Sequence, residues 1–161
     1  MIDHTATQPH TLATILDLSR IVSSSLDLDV VLDRILVAAR DLSGAEIVSV
    51  MILDDTGAEI QIGAAYGLTP EVIAASKFRL GEGIAGWVAL HGQPVHTVNL
   101  SGDPRFIAVA TPIDACLLSL PLRVRERTLG VLNIARRQQT LFDESLVQML
   151  EIFASHAAIA L

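Results

Sequence analysis

A chain of 161 residues that is 51% hydrophobic and 18% charged suits one globular domain burying roughly two thirds of its unfolded surface, so disorder over most of its length is not expected. Its net charge of -7 and scattered basic residues, clustered only at Arg123, Arg125 and Arg127, offer no stripe to neutralise a phosphate backbone, which argues against nucleic acid as a partner. The single cysteine, Cys116, excludes an internal disulfide and a multi-cysteine zinc site and fits a reducing cytoplasm; no apolar run approaches the roughly 20 residues of a membrane span, and Met1-Ile2-Asp3-His4 does not begin a signal peptide.

Residues 1–10 are polar and read as a flexible N-terminus, followed by one domain over 11–161. Leu12, Ile15, Leu16, Ser19 and Val22 recur at helical spacing. Asp27 is placed to cap a second helix, with Leu26 and Val31 as a hydrophobic staple. Leu28, Val31, Leu32, Ile35, Leu36, Ala39 and Leu42 form its apolar stripe, and Gly44 ends it. The β-branched run Ile47, Val48, Val50, Ile52 predicts a strand, and Asp54-Asp55-Thr56-Gly57 a turn into a second strand over 59–66, the two forming an antiparallel hairpin.

Thr69-Pro70 is an N-cap and first-turn pair for a short helix carrying Val72 and Ile73. Gly81 and Gly83 permit a tight backbone before a helix over 82–90, and Pro94 sets an extended stretch over 95–98. A short helix or turn begins at Asp103-Pro104, and the aperiodic stretch to about Asp114 reads as a loop over a pocket. Residues 115–124 and 128–136, separated by Arg125-Glu126-Arg127, read as a second hairpin. Asp143 is placed to cap a last helix, with Phe142 and Val147 as a staple and Leu146, Leu150, Phe153, Ala157 and Leu161 along one side. This order implies an α+β fold: an antiparallel central sheet of about five or six strands, terminal helices on one face, and short helices and loops over a pocket on the other. No internal repeat indicates a solenoid.

The run Leu80-Gly81-Glu82-Gly83-Ile84-Ala85-Gly86-Trp87-Val88, the turn from Asn99 to Phe106, the strand pair around Ser119-Leu120-Pro121-Leu122 and Gly130-Val131-Leu132-Asn133, and the entry Leu141-Phe142-Asp143-Glu144 occur in the order found in GAF domains. Over nearly its whole length the chain resembles that family of small-molecule sensor and dimerisation modules, with their PAS-like architecture. The resemblance implies a non-catalytic input domain that binds a small molecule. It further implies a signal sent through the terminal helices to an effector such as a histidine kinase, nucleotide cyclase or transcription regulator. The alternative is a structural dimerisation module without a ligand.

Several chemistries are disfavoured by the residues themselves. The glycine run lacks the Gly-Lys-Ser/Thr ending of a P-loop and does not follow the first strand of a parallel unit. His4, His10, His91, His96 and His156 form no spaced ligand pair, which argues against a metal site. Haem-binding members of the family use a histidine in the loop before the penultimate strand, whereas residues 104–114 contain none; His91 or His96 would be an unusual ligand. Bilin-binding members attach the chromophore to a cysteine followed by histidine, and Leu117 follows Cys116. The family's methionine sulfoxide reductases need more than one working cysteine. The cyclic-nucleotide signature is matched by Asn133, Phe142, Asp143 and Glu144 but has Ile134 where lysine would stand. No cofactor is assigned, and no catalytic residues stand out.

The family's topology aims Tyr66, Phe78, Ile84, Trp87, Val95, Phe106, Cys116 and Ser119 at the pocket, which suits a mainly hydrophobic ligand. The same side chains serve equally well as core. This reading puts Trp87 and Cys116 on one layer. The last helix is still apolar at His156-Ala157-Ala158-Ile159-Ala160-Leu161 and has no glycine stop, a pattern that invites continuation into a further domain of a longer parent protein. Leu12, Ile15 and Leu16 with Phe153, Ala157 and Leu161 are the candidates for a homodimeric helical bundle, their competing role being packing on their own sheet.

Overall fold

The computed structural model describes residues 27–109 and 114–161. The first predicted helix, with Leu12, Ile15 and Leu16, and the staple residue Leu26 lie outside the described residues. The elements in order are α1 (Leu28–Ser43), β1 (Ile47–Leu53), β2 (Glu59–Tyr66), α2 (Pro70–Ala75), β3 (Lys77–Arg79), α3 (Gly83–His91), β4 (Val95–Thr97), a 3-10 turn (Leu100–Gly102), β5 (Cys116–Val124), β6 (Arg127–Arg136) and α4 (Glu144–Ile159). The strands form one sheet in the order β3-β2-β1-β6-β5-β4, antiparallel throughout. The α+β sheet expected from the sequence is thus present with six strands.

Local chemistry accounts for most element boundaries. Asp27 accepts a hydrogen bond from the Asp29 backbone N–H at 3.1 Å, which satisfies one of the free donors at the start of α1. Thr69 does the same for Val72 at 3.3 Å, with Pro70 at the first helical position of α2. Asp143 occupies the N-cap position of α4 but makes no side-chain cap bond, contrary to expectation. β3 escaped the sequence reading because three residues cannot display a period; it is fixed by pairing Phe78 against Ile60 of β2.

Strands β1, β5 and β6 are apolar on both faces, so the sheet is covered twice. On one face α1 and α4 enclose Val48, Val50, Leu118, Leu120, Leu132 and Ile134 with Ile35, Leu150 and Phe153. On the other, α3 and the neighbouring short elements cover Ile47, Met51, Ile60, Leu117, Val131 and Ala135 with Ile84 and Val88. Two glycines make the second cover possible. Gly83 starts α3 at φ +69°, a left-handed conformation that side chains with a Cβ rarely adopt. At Gly86 a Cβ would lie 2.6 Å from the Arg79 carbonyl oxygen, so only glycine lets α3 seat against β3.

The segment between β6 and α4 is tied to the sheet from two sides. Arg136 donates through Nη2 to the carbonyls of Thr140 and Leu141, both at 2.8 Å, and its guanidinium lies 4.3 Å from the Phe142 ring centroid. His96, on β4, accepts the Phe142 backbone N–H through Nε2 at 3.1 Å. The same nitrogen stands 4.0 Å from the Cys116 sulfur. These contacts fix the entry of α4 in place of the Asp143 side chain.

Partial burial first, and the Arg136 charge second, hold the His96 imidazole below its ordinary pKa. The neutral form is the one that accepts from Phe142. The unfolded chain therefore binds the proton more readily than the fold does. This stability contribution is complete above about pH 6.5, the unfolded value, and is lost as pH falls through the lower folded value. Lowering the pH below about 6.5 should reduce the urea midpoint of the wild-type domain more steeply than that of His96→Gln, which keeps an acceptor without titrating. Equal slopes in the two proteins would remove His96 from this role.

Candidate functional site

Between the sheet and its second cover lies a cavity of about 180 Å³. The sheet supplies Ser49 and Met51 from β1, Ile62 from β2, Phe78 from its edge strand β3, Leu117 from β5 and Asn133 from β6; the cover supplies Val72, Ser76, Gly83, Ile84, Ala85, Leu100, Phe106, Ile107 and Val109, with Leu68 at the margin. Two alternations produce this wall. Side chains two apart on a strand share a face, so Ser49 and Met51 open to the cavity while Val48 and Val50 meet α1 and α4. Opposed residues across strands also share a face, which brings Ser49, Asn133 and Ser119 into one row.

That row is the polar part of an otherwise apolar site. The Ser119 hydroxyl donates to Asn133 Oδ1 at 2.6 Å, and Asn133 Nδ2 donates to Ser49 Oγ at 3.3 Å. Ser119 is fully buried and Ser49 nearly so, and buried polar groups of this kind require partners. Ser76, also on the wall, already donates its hydroxyl to the Val72 carbonyl at 2.6 Å. No charged side chain lines the cavity among the described residues, and residues 110–113, Ala-Thr-Pro-Ile, carry no charge in the sequence.

The first turn of α3, Gly83 to Ala85, lines the cavity and receives no side-chain cap from Glu82. Such a helix end favours an anion by about 0.3–1 kcal/mol. Burying an ion without a charged partner costs several kcal/mol. The helix end therefore does not by itself make an anion site.

The loop over the cavity is anchored outside it. Arg105 forms a two-pronged pair with Asp103, with Nε to Oδ1 at 2.9 Å and Nη2 to Oδ2 at 2.7 Å, and the Arg105 backbone N–H also donates to Oδ1 at 2.9 Å. The hydrogen bonds from Arg105 hold the Asp103 carboxyl below its usual range. The Arg105 guanidinium lies 4.7 Å from the Trp87 ring centroid, and Trp87 stacks on His91 at 4.2 Å. Leu100 N–H to the Ala115 carbonyl at 2.8 Å, with Ser101 Oγ to Asp114 Oδ1 at 2.9 Å, closes the base of the loop. The helix or turn expected from Asp103 is thus a 3-10 turn ending at Gly102 followed by this arginine-held bend.

Of the residues aimed at the pocket from the sequence, Phe78, Ile84 and Phe106 line the cavity. Val95 and Trp87 belong to the apolar cluster beside it without reaching its wall, and Ser119 stands one row-step behind Asn133. Two expectations are corrected. Cys116 is fully buried in the α1–α4 layer, opposite Trp87. Cys116 and Ser119 are three residues apart on one strand, an odd separation that puts them on opposite faces; Cys116 falls in the same set as Leu118 and Leu120. Burial raises its thiol above the ordinary pKa, which makes it a weak nucleophile.

Tyr66 is the other correction. The pairing of β1 with β2 shifts between Val50 and Met51, and the extra residue, Gly63, turns the alternation over. Ile60 and Ile62 face the cavity side, whereas Tyr66 ends up 44% exposed with the Arg40 guanidinium of α1 at 4.6 Å from its ring centroid. The dimer candidates Phe153 and Ala157 are also corrected, because both are fully buried in the chain's own core; Leu161 packs at the edge of that core. Ser49 escaped the sequence reading. Its signal was a lone hydroxyl inside Ile47-Val48-Ser49-Val50-Met51, matched by the lone amide in Val131-Leu132-Asn133-Ile134.

Comparison with known proteins agrees with this geometry. The chain is 30% identical over 135 residues to a Nif-specific regulatory protein of Herbaspirillum seropedicae, an alignment covering 80% of this chain and 25% of that protein. It therefore spans about a quarter of the length of that relative. Among solved structures, the GAF domain of a phosphoenolpyruvate-protein phosphotransferase from Coxiella burnetii superposes with a TM-score of 0.79 at 21% identity, over 95% of this chain and 93% of the other. The free methionine-R-sulfoxide reductase of Neisseria meningitidis superposes with a TM-score of 0.77 at 17% identity, over 99% and 94%. At those identities the structural likenesses establish the fold alone. The profile of the GAF domain family matches residues 25–161, and with a six-stranded antiparallel sheet, helices on one face and a roofed cavity on the other, the chain belongs to that family.

Proposed function

We propose that this GAF domain is a non-catalytic sensory and dimerisation module that binds a small molecule in the cavity and passes the change through its terminal helices to a covalently attached effector. The observation that carries the reading is the cavity of about 180 Å³, walled mainly by apolar side chains with a few convergent polar atoms, as ligand sites are. The burial of Cys116 on the far layer supports a non-catalytic role, since the only thiol of the chain lies away from any molecule held there. The relative named a Nif-specific regulatory protein, of which this chain covers 25%, supports an input module of a larger regulatory protein; the effector we assign to it is a histidine kinase, nucleotide cyclase or transcription regulator. The cytoplasm is the compartment that fits a lone reduced cysteine. No helix among the described residues is long and apolar enough to cross a membrane.

For the dimer, burial of Phe153 and Ala157 shifts the proposal to the outward sides of α1 and α4. There Val30, Val37, Ile152 and Ile159 are exposed, Ile152 and Ile159 by more than half. Ile152 and Ile159 are seven residues apart, as are Val30 and Val37, so each pair repeats along one side of its helix. A two-fold partner laid against this side would add a helical layer continuous with the last helix.

Native mass spectrometry of the purified domain, before and after denaturation, should release a small molecule. If the preparation is empty, a panel of metabolites should include one that raises the melting temperature in the wild type and not in Ala85→Leu, where a larger side chain occupies the cavity. An empty protein that no metabolite stabilises would favour the ligand-free structural module. Sedimentation of the wild type should give a dimer at micromolar concentration, and Ile152→Glu with Ile159→Glu a monomer of nearly unchanged stability, each exposed change lying within about 0.5 kcal/mol. A wild-type monomer would remove the dimer from the proposal.

A further inference from the structure

Resting on the reading that the cavity holds a ligand, the geometry points to its chemical class: an uncharged, mainly apolar small molecule with one hydrogen-bond-accepting oxygen, a ketone or amide carbonyl, recognised by Asn133 and Ser49.

In the row across β5, β6 and β1, Ser119 gives its proton to Asn133 Oδ1, and Asn133 gives one of its two amide protons to Ser49 Oγ. The second Asn133 N–H and the Ser49 hydroxyl proton are left for a further acceptor, and both residues stand on the cavity wall. They are neighbours in register, so one oxygen placed between them can receive both. The Ser76 hydroxyl is engaged with Val72 and does not compete. A hydrocarbon would fill the space and keep water from these two donors without answering them, which is unfavourable. A carboxylate or phosphate would meet the donors but no cation on the wall among the described residues; the arginine of the covering loop, Arg105, is bound to Asp103 and lies against Trp87. A neutral carbonyl satisfies both conditions. Ser119, fully buried, does not reach the wall; it is a positioning residue that holds Oδ1 and thereby directs the free N–H outward.

Three test ligands built on one six-membered carbon ring separate the possibilities: cyclohexanone, methylcyclohexane and cyclohexanecarboxylate, titrated into the 15N-labelled chain while the backbone amides of Ser49, Leu117 and Asn133 are followed. Cyclohexanone should shift these amides and bind at least about tenfold more tightly than cyclohexanecarboxylate. Asn133→Leu should reduce the preference for cyclohexanone over methylcyclohexane by about tenfold, the loss expected when a polar ligand group is left unmatched. Should Asn133→Leu fail to fold, Ser119→Ala keeps the amide but frees its orientation and should reduce the same preference by about threefold; because the two ligands are compared in one protein, a general loss of stability leaves the ratio unchanged. Equal or tighter binding of the carboxylate, or an unchanged preference in the variant, would overturn the ligand class while leaving the cavity a binding site. If none of the three ligands shifts the cavity amides, the reading of the cavity as a small-molecule site falls, and this inference with it.

Discussion

Strands β1, β5 and β6 carry large apolar side chains on both faces, so the sheet they form cannot leave either side to water. Each face must be covered, and the rest of the chain divides according to how that is done. Two helices of 16 residues, α1 and α4, are each about 24 Å long at the ordinary helical rise, and they close one face with a continuous apolar layer. The other face is closed by pieces: the six-residue α2, the nine-residue α3, a 3-10 turn and a loop. Regular helices interdigitate along their length, whereas short elements meeting at angles leave space between them. The cavity therefore lies under the second cover.

The glycines of α3 and the arginine-held bend have complementary roles in that cover. Gly83 and Gly86 bring α3 against β3 and its flanking turn, which forms one rim of the cavity. Asp103, Arg105 and Trp87 link the bend at residues 103–106 to α3, which forms another. The cavity is consequently bounded by a helix fixed through close backbone approach and by a loop fixed through a charged pair lying on an aromatic ring. On its floor Asn133 and Ser49 stand where apolar side chains otherwise would, with Ser119 behind Asn133, in a row at the centre of the sheet where each member has a partner on the next strand.

Edge strand β4 touches both layers. Val95 packs with the cavity-side cluster, and the next residue, His96, faces the other way and receives the Phe142 N–H at the entry of α4. Successive strand residues point to opposite faces, so a three-residue strand is enough to connect the cover to the start of the last helix. The segment after α3 is thereby joined to the entry of α4 by one hydrogen bond, separate from the packing of the core.

Much of the fold was legible in the residues. Asp27, Thr69-Pro70, Gly44 and the turn Asp54-Asp55-Thr56-Gly57 act through contacts within a few positions along the chain, so local pattern alone placed α1, α2 and the first hairpin. The stripe Leu146, Leu150, Phe153, Ala157 identified the buried side of α4, though not that it faces its own sheet and not a twin. Which face each side chain of β2 and β5 takes was not legible. In Cys116-Leu117-Leu118 both faces are apolar and no alternation marks the register, while the Gly63 bulge that turns Tyr66 away depends on pairing with β1. All the longer elements, their order and the need to cover both faces of the sheet follow from the residues alone, because propensity, capping and hydrophobic period are local properties; the three-residue β3 does not. Which residues wall the cavity, and that Ser49, Asn133 and Ser119 meet, emerges with the folded arrangement, because strand register and the fit between covering elements arise from contacts between residues far apart in the chain, 84 positions in the case of Ser49 and Asn133.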